Sequence, residues 1–366
     1  MSAPADRQAA FSGTKPVPAA LALPEETLAA WLEAHVEGFS GPVRFRQFRG
    51  GQSNPTYLVE AAGVAYVLRR KPPGPLLPSA HAIEREYRVM TALGAAGYPV
   101  PRTRVLCEDP TIAGTAFYLM DRVEGRIFWE PGLPELAPAE RAAVYDAMNA
   151  TLARLHALDP AALGLADFGR PDGYVARQVA RWSKQYRASQ TETIAEMDRL
   201  IDWLPDNLPP EQPARIVHGD YRLDNLILHP DRAEVVAVLD WELATLGDPV
   251  ADFTYHLMPW RMPPAPAGTG IGTLLGLDLD ALGIPGLDAY IAAYEARTGL
   301  AVADRLAFYF AYNFFRFAAI LQGIAGRVRD GTATSENAAG MIAQIRPLAE
   351  TAWHHAERAA DGGSRG

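Results

Sequence analysis

The sequence predicts an α+β protein of two lobes, a small β-rich one followed by a larger, mostly helical one. Three observations predict it. Five short runs rich in β-branched and aromatic residues crowd the stretch before Gly125, separated by turn signals. Past Gly125 the apolar spacing changes to the 3.6-residue period of long amphipathic helices. Between those helices lies a compact polar stretch, HGDYRLDN (218–225), followed by LDWE (239–242), both set against short apolar runs.

In chain order, residues 1–24 are rich in Ala and Pro and are expected to be loose. PEETLAAWLEAHVEGF (24–39) reads as a helix with acidic residues in its first turn. VRFRQFRG (43–50), TYLVEAA (56–62) and VAYVLRR (64–70) read as strands, the first two flanking GGQSNP and the last two joined tightly at Gly63. Proline confines KPPGPLLPS (71–79) to a loop. AHAIEREYRVMTALGAAG (80–97) is a helix with glycine at its end, and RTRVLCE and GTAFYLMDRV complete a five-stranded sheet. These elements give a first lobe over 25–122 and a second over 123–357, with a tail at 358–366.

The second lobe begins with the helix 138–159 and continues with helical patterns over 172–189 and 193–204. RIVHGD, NLILH and EVVAVLDWE are short β-like runs around the polar stretch. Helices follow over 249–258, 287–299, 303–328 and 335–359, and the Gly- and Pro-rich residues 263–286 form an irregular insertion.

Composition excludes several classes. The 366 residues are enough for two lobes with a sizeable core, and a net charge of −9 with no basic stripe speaks against nucleic-acid binding. One cysteine, Cys107, allows neither a disulfide nor a cysteine-based zinc site within one chain. No signal peptide and no membrane-length apolar run is visible, so a cytoplasmic location without membrane contact is expected. G-x-G-x-x-G after a strand and G-x-x-x-x-G-K-[ST] are both absent, which argues against dinucleotide and P-loop enzymes.

The spacing of HGDYRLDN and LDWE suits phosphoryl transfer, which needs hard oxygen ligands for a divalent cation and a group to orient the attacking hydroxyl. Asp220 can accept the proton of a substrate hydroxyl. Asn225, five residues later, can turn its carbonyl oxygen to Mg²⁺, and Asp240 can coordinate the metal bridging the phosphates of ATP. This order parallels H-R-D, Asn and D-F-G of kinases, with Gly in place of Arg and D-W-E in place of D-F-G.

At these residues the sequence resembles the aminoglycoside phosphotransferase-like family of small-molecule kinases, and the resemblance covers roughly residues 25–355. It implies a protein-kinase-like bilobal fold. It also implies that the GGQSNP turn covers the nucleotide phosphates, with Ser53 and Asn54 as donors. Arg69 then stands where a kinase has its strand-three lysine, with Lys71 as the competing cation, and Glu86 is its ion-pair partner. FYLMDRVEG (117–125) becomes the hinge, with Met120 behind the adenine and the backbone of Asp121 and Val123 on the base edge. Asp252 of GDPVADF holds the catalytic loop. LRRKPPGPLLPSAHAIEREYRV and LDWELATLGDPVADFTYH resemble more closely the kinase-like domains associated with acyl-CoA dehydrogenases, a subgroup linked to hydroxylated acyl chains.

Other side chains keep two readings. His218 is expected to order the loop rather than act as base. Glu242 either assists the metal or forms an ion pair, and Arg222 either faces the transferred phosphoryl group or is a solvent-facing or structural arginine. Arg316 and Asn313 share a helical stripe, and Arg316 is either an anion site for the acceptor or paired with Asp252 or Asp248. His81 and the Pro-rich loop before it either touch phosphate or substrate or merely connect strand to helix, the second being the expectation, and His354 and His355 are expected at the surface. The expected partner is a small hydroxylated molecule: a hydroxyacyl-CoA or hydroxy acid, alternatively an amino sugar. A nucleotide-binding pseudokinase and a homodimer remain open expectations.

Overall fold

Among the described residues, six antiparallel strands, in the order β1-β2-β3-β4-β6-β5, form the N-terminal sheet of the protein, seen in a computed structural model. The structure describes residues 12–49, 54–74, 81–265, 272–331 and 338–361. The strands are β1 Thr14–Lys15, β2 Val43–Phe48, β3 Thr56–Ala61, β4 Val64–Arg70, β5 Thr103–Cys107 and β6 Phe117–Asp121. β3 and β4 turn over Ala62 and Gly63, both at positive φ (45° and 81°), the two-residue connection that matches the twist of paired strands.

The sixth strand, β1, was not legible in the sequence, and it lies in the segment expected to be loose. Leu21, in the same segment, is fixed as well: its carbonyl accepts from Tyr57 Oη at 2.9 Å and from Arg70 Nη2 at 3.0 Å.

Successive side chains of a strand face opposite sides of the sheet. Tyr57, Val59, Tyr66, Leu68, Phe117 and Leu119 turn to one side, where helix α1 (Glu25–His35) buries Leu28 and Leu32 against them. Each such leucine contributes about 2 kcal/mol of apolar burial. Val67, Tyr118 and Met120 turn to the other side, toward α2 (Ile83–Ala95). The same parity separates two adjacent cations. Arg70 lies on the α1 side, where Nη1 donates to Ala113 O at 2.8 Å and the guanidinium sits 5.5 Å from the Tyr57 ring centre. Arg69 lies on the other side, facing the second lobe.

That lobe comprises α3 (Pro138–Ala157), α4 (Tyr174–Ser189), α5 (Ala195–Asp206), α6 (Pro249–His256), α7 (Leu287–Thr298), α8 (Leu306–Arg329) and α9 (Ile345–Ala360). Helix α8 is its axis, buried over most of its length and packed on α9, α4 and α6. Two small ribbons carry the polar loops. β7 (Arg215–Val217) pairs with β10 (Thr245–Gly247), and β8 (Leu226–Leu228) pairs with β9 (Val235–Val238). Within the insertion expected to be irregular, Leu279–Leu282 form a helical turn capped by Asp278. The helix expected over 335–359 is divided into Ala338–Ile342 and α9, with Pro347 in the first turn of α9, where its missing N–H costs no bond. None of the described helices is long and apolar enough to cross a membrane.

His354 is exposed as expected, but His355 is buried, stacked 4.9 Å from the Phe310 ring and 5.9 Å from that of Phe314. The helical period, 100° per residue, turns one histidine inward when its neighbour faces out. Burial pushes His355 down to about 3, with His354, Arg261 and Arg358 adding to the effect. It is therefore neutral in the fold, whereas in the unfolded chain it takes up a proton below about pH 6.5. The unfolded state then binds more protons, and stability falls as pH drops from about 6.5 toward the folded value. His355→Phe keeps the stack and removes the proton site. Thermal or urea unfolding of the variant is expected to lose about 2–3 kcal/mol less than the parent between pH 7 and pH 4.

Candidate active site

The loop between β7 and β8 is built from the backbone outward. Gly219 sits at φ +82°, and a Cβ there would lie 2.9 Å from both Cβ and O of Leu243. This conformation and crowding suit glycine, so the loop reads His-Gly-Asp. The two amides before the aspartate are held from below, His218 N–H donating to Asp252 Oδ2 and Gly219 N–H to Asp252 Oδ1, each at 2.8 Å. His156 Nε2 meets the same carboxylate at 3.1 Å, and its Nδ1 meets Tyr294 Oη at 2.5 Å. Burial alone would raise the Asp252 carboxyl. The bonds from His156 and the His218 amide outweigh it and hold the group below the usual carboxylate range.

His218 spends both ring nitrogens on the loop. Nδ1 accepts from the Asp220 N–H at 3.2 Å, so Nε2 carries the proton and donates to Leu239 O at 2.8 Å. Asn225 Nδ2 donates to Asp220 O at 2.9 Å and to Asp220 Oδ2 at 3.1 Å. Leu239 N–H donates to Asn225 O at 2.8 Å, which brings Asp240 to the same corner. Asp240 itself holds φ +64°, a left-handed conformation that aspartate tolerates better than most residues. Three oxygen-bearing side chains, Asp220, Asn225 and Asp240, are thus tied into one knot by backbone bonds.

Asp220 is braced on one oxygen. Tyr255 Oη donates to its Oδ1 at 2.6 Å, and Arg222 Nε lies 3.0 Å from that atom. Among the described residues, Oδ2 takes only the Asn225 amide. Arg222 also pairs with Asp224 at 3.0 Å, so it is a bridge between two carboxylates and not a solvent-facing arginine. Arg316 makes no ion pair with Asp248 or Asp252. Its Nη2 donates to Gly219 O at 2.8 Å, and its guanidinium lies 5.0 Å from the Tyr255 ring centre. Asp248 instead caps α6 and accepts from Tyr309 Oη at 2.6 Å. Asn313 Nδ2 donates to Ala251 O at 3.0 Å, in the first turn of α6.

Across the cleft, Arg69 Nε pairs with Glu86 Oε2 at 3.0 Å, and Nη2 pairs with Asp240 Oδ1 at 2.6 Å and Glu242 Oε2 at 3.5 Å. Burial would strip the Arg69 proton, but Asp240 and Glu86 hold it charged. Glu86, 1% exposed, is pushed up to about 7 by burial; Arg69 pulls against this, while Asp240 and Glu242 add to it. Tyr118 Oη and Asn54 Nδ2 donate to its two oxygens at 3.1 and 3.0 Å. Lys71 stands apart, paired with Glu84 at 2.9 Å, so of the two competing cations Arg69 is the one on the Glu86 pair. Asn54 is fully buried and spends its amide on Glu86, so it is not the open donor the sequence suggests; Ser53 lies outside the described residues.

At the hinge, Met120 sits on the cleft face of β6 and is nearly buried. The Asp121 N–H donates to Arg102 O at 2.9 Å and its carboxylate is held by Arg104 at 2.6 and 2.9 Å, so this amide is not free for a base edge. Val123 makes no hydrogen bond to another described residue. Below the loop, a pocket beside Asp220 is lined by Trp129, Tyr145, Met148, Arg222, Tyr255 and Trp260, among others. Sequence reasoning missed Tyr255, Tyr118 and His156. Tyr255 had a signal, since three residues past Asp252 it falls on the same face of α6.

A sheet lobe, a helical lobe and this loop between them define the kinase-like class of fold. Within that class the chain belongs to the phosphotransferase enzyme family, whose profile matches residues 44–309. It is 47% identical over 349 residues to acyl-CoA dehydrogenase family member 10 of Mus musculus, covering 94% of this chain and 32% of that protein. It is 39% identical over 332 residues to acyl-CoA dehydrogenase family member 11 of Homo sapiens, covering 89% of this chain and 42% of that one. The chain therefore spans about a third to two-fifths of the length of these relatives. A solved structure from Ralstonia eutropha with a provisional aminoglycoside phosphotransferase name is 48% identical, with TM-score 0.83 over 92% of this chain and 99% of that one. Aminoglycoside phosphotransferase APH(4)-Ia in complex with ADP and hygromycin B shares the fold, at 15% identity and TM-score 0.58 over 91% of this chain and 98% of that one.

Proposed function

We propose that the protein transfers the γ-phosphoryl group of ATP to a hydroxyl of a small, apolar-bodied molecule, a hydroxy acid or hydroxyacyl-CoA. The observation that carries this reading is the state of Asp220, whose Oδ1 is braced by Tyr255 and Arg222 while Oδ2, among the described residues, takes a single amide. One carboxylate oxygen is fixed and the other has capacity to accept a hydroxyl proton, as a positioned base requires. Arg69, aimed by Glu86, supplies a buried cation for phosphate oxygens.

The donor set fits a hard divalent cation. Asn225 commits its nitrogen to Asp220, and among the described residues its Oδ1 has no hydrogen-bond partner; Asp240 supplies a carboxylate. Asn225 and Asp240 would hold Mg²⁺, which neutralises charge on the transferring phosphates when bound. Arg69 now holds Asp240, so the pair rearranges or is shared when nucleotide enters.

The pocket favours an apolar acceptor over an amino sugar. Aromatic rings line it, and Asp224, the one carboxylate among the described residues that line it, is already paired with Arg222. A polycationic sugar would instead seek unpaired acidic groups. The test incubates the chain with Mg-ATP and, separately, hydroxyacyl-CoAs, hydroxy acids and amino sugars, reading added phosphoryl groups by mass spectrometry. Phosphorylated acyl or hydroxy-acid products are expected. Products from amino sugars alone would replace the acceptor assignment, and tight nucleotide binding without any product would favour a pseudokinase.

A further inference from the structure

His81 is the residue just before α2 whose geometry exceeds what a connecting loop needs. It holds φ +57°, one of four described non-glycine residues at positive φ. Such strain is kept where surrounding bonds over-determine it. Ile83 N–H donates to His81 O at 3.0 Å, and the ring is half-buried with Nδ1 2.9 Å from Asn54 Oδ1. Asn54 donates its amide to Glu86, so its oxygen is what meets the ring. His81 Nδ1 must therefore carry the hydrogen, and Nε2 is left as the working atom, with no partner among the described residues.

Burial lowers the proton affinity of this ring most, and the charges of Arg69 and Lys71 lower it further. A ring set among cations, with one nitrogen fixed and the other open, is suited to an anion. A chain of contacts, His81–Asn54–Glu86–Arg69–Asp240, runs from it to the corner of the cleft where Asp240 lies. We propose that His81 is a phosphate-contacting residue, its Nε2 meeting the polyphosphate of the nucleotide while Nδ1 stays anchored on Asn54. This rests on the phosphotransfer reading above. The polyphosphate supplies the negative charge that Arg69 and Lys71 otherwise oppose, so the ring donates from Nε2 as an imidazolium.

His81→Asn separates this role from a purely structural one. Asparagine accepts positive φ, and its amide can still donate to Asn54, but it lacks Nε2. Binding of Mg-AMP-PNP and of AMP to the full chain is measured by calorimetry, with melting temperature as the control. His81→Asn is expected to melt close to the parent, to bind AMP within about twofold, and to bind AMP-PNP at least about tenfold more weakly, the loss of one charged hydrogen bond. His81→Ala, which also frees Asn54, is expected to melt lower. AMP-PNP affinity of His81→Asn within twofold of the parent, or equal losses for AMP and AMP-PNP, would overturn the proposal and leave His81 as a brace for Asn54. A parent chain that binds no AMP-PNP would remove the phosphotransfer reading itself, and this inference with it.

Discussion

Asp220→Asn is expected to lower phosphoryl transfer by about a hundred- to ten-thousandfold, the usual contribution of a positioned general base, with Mg-AMP-PNP affinity within a few-fold of the parent. The variant is chosen for what it preserves. An asparagine oxygen can still accept from Tyr255 Oη, so the brace on that side of the loop survives. Arg69, the cation proposed for the nucleotide phosphates, is held by Glu86, Asp240 and Glu242 and not by Asp220. Single-turnover rates with an identified acceptor and calorimetry with AMP-PNP measure the two quantities separately. More than a tenth of parental turnover in Asp220→Asn would take the base role away from this residue. Loss of nucleotide affinity in step with turnover would instead mark Asp220 as part of the nucleotide site.

Much of the fold was legible because it is local. Short runs of β-branched and aromatic residues bounded by turn signals identify β3, β4 and β6, and the change of period after Gly125 marks the helical lobe. The loop residues Asp220, Asn225 and Asp240 were legible because their chemistry fixes both type and spacing. What stayed hidden depends on distance in sequence. Arg69 meets Asp240 across 171 positions, and no window of residues encodes the approach of two lobes. Arg69 and Lys71 share one strand parity, so choosing between them needed the Glu86 and Glu84 pairs together. β10, the three residues Thr245–Gly247, is too short and glycine-rich to read as a strand, and exists because β7 lies beside it. The Asp121 backbone read as a hinge contact, but Arg102 claims its N–H through a bond beside β5 that only the folded register reveals. Arg316 was expected beside a carboxylate. Its actual partners, a carbonyl and an aromatic face, leave no charge pattern in sequence.

Asp252→Ala is expected to cost about 3–5 kcal/mol of stability, the range for breaking a buried charged network. The carboxylate is nearly inaccessible and accepts from two backbone amides and His156. Alanine leaves those amides buried with no acceptor, each costing about 1–3 kcal/mol. Asp252→Asn tests the charge separately, since its oxygen can serve one amide while its NH₂ confronts the other donor. It should fall between parent and alanine. The same loss loosens the His218–Gly219 turn that aims Asp220, so turnover should drop more than nucleotide affinity does. Urea denaturation gives the first quantity, and kcat against AMP-PNP affinity gives the second. Because Asp252 is held below its ordinary range, its stabilising contribution is complete above about pH 4 and is lost only as pH falls through the folded value. The stability difference between parent and Asp252→Ala should therefore be flat from pH 5 to 8 and shrink in stronger acid. A difference that instead grew toward acid, or an alanine variant within 1 kcal/mol of the parent at pH 7, would mean that water or a shifted backbone replaces the carboxylate, and that the catalytic loop does not depend on α6 for its position.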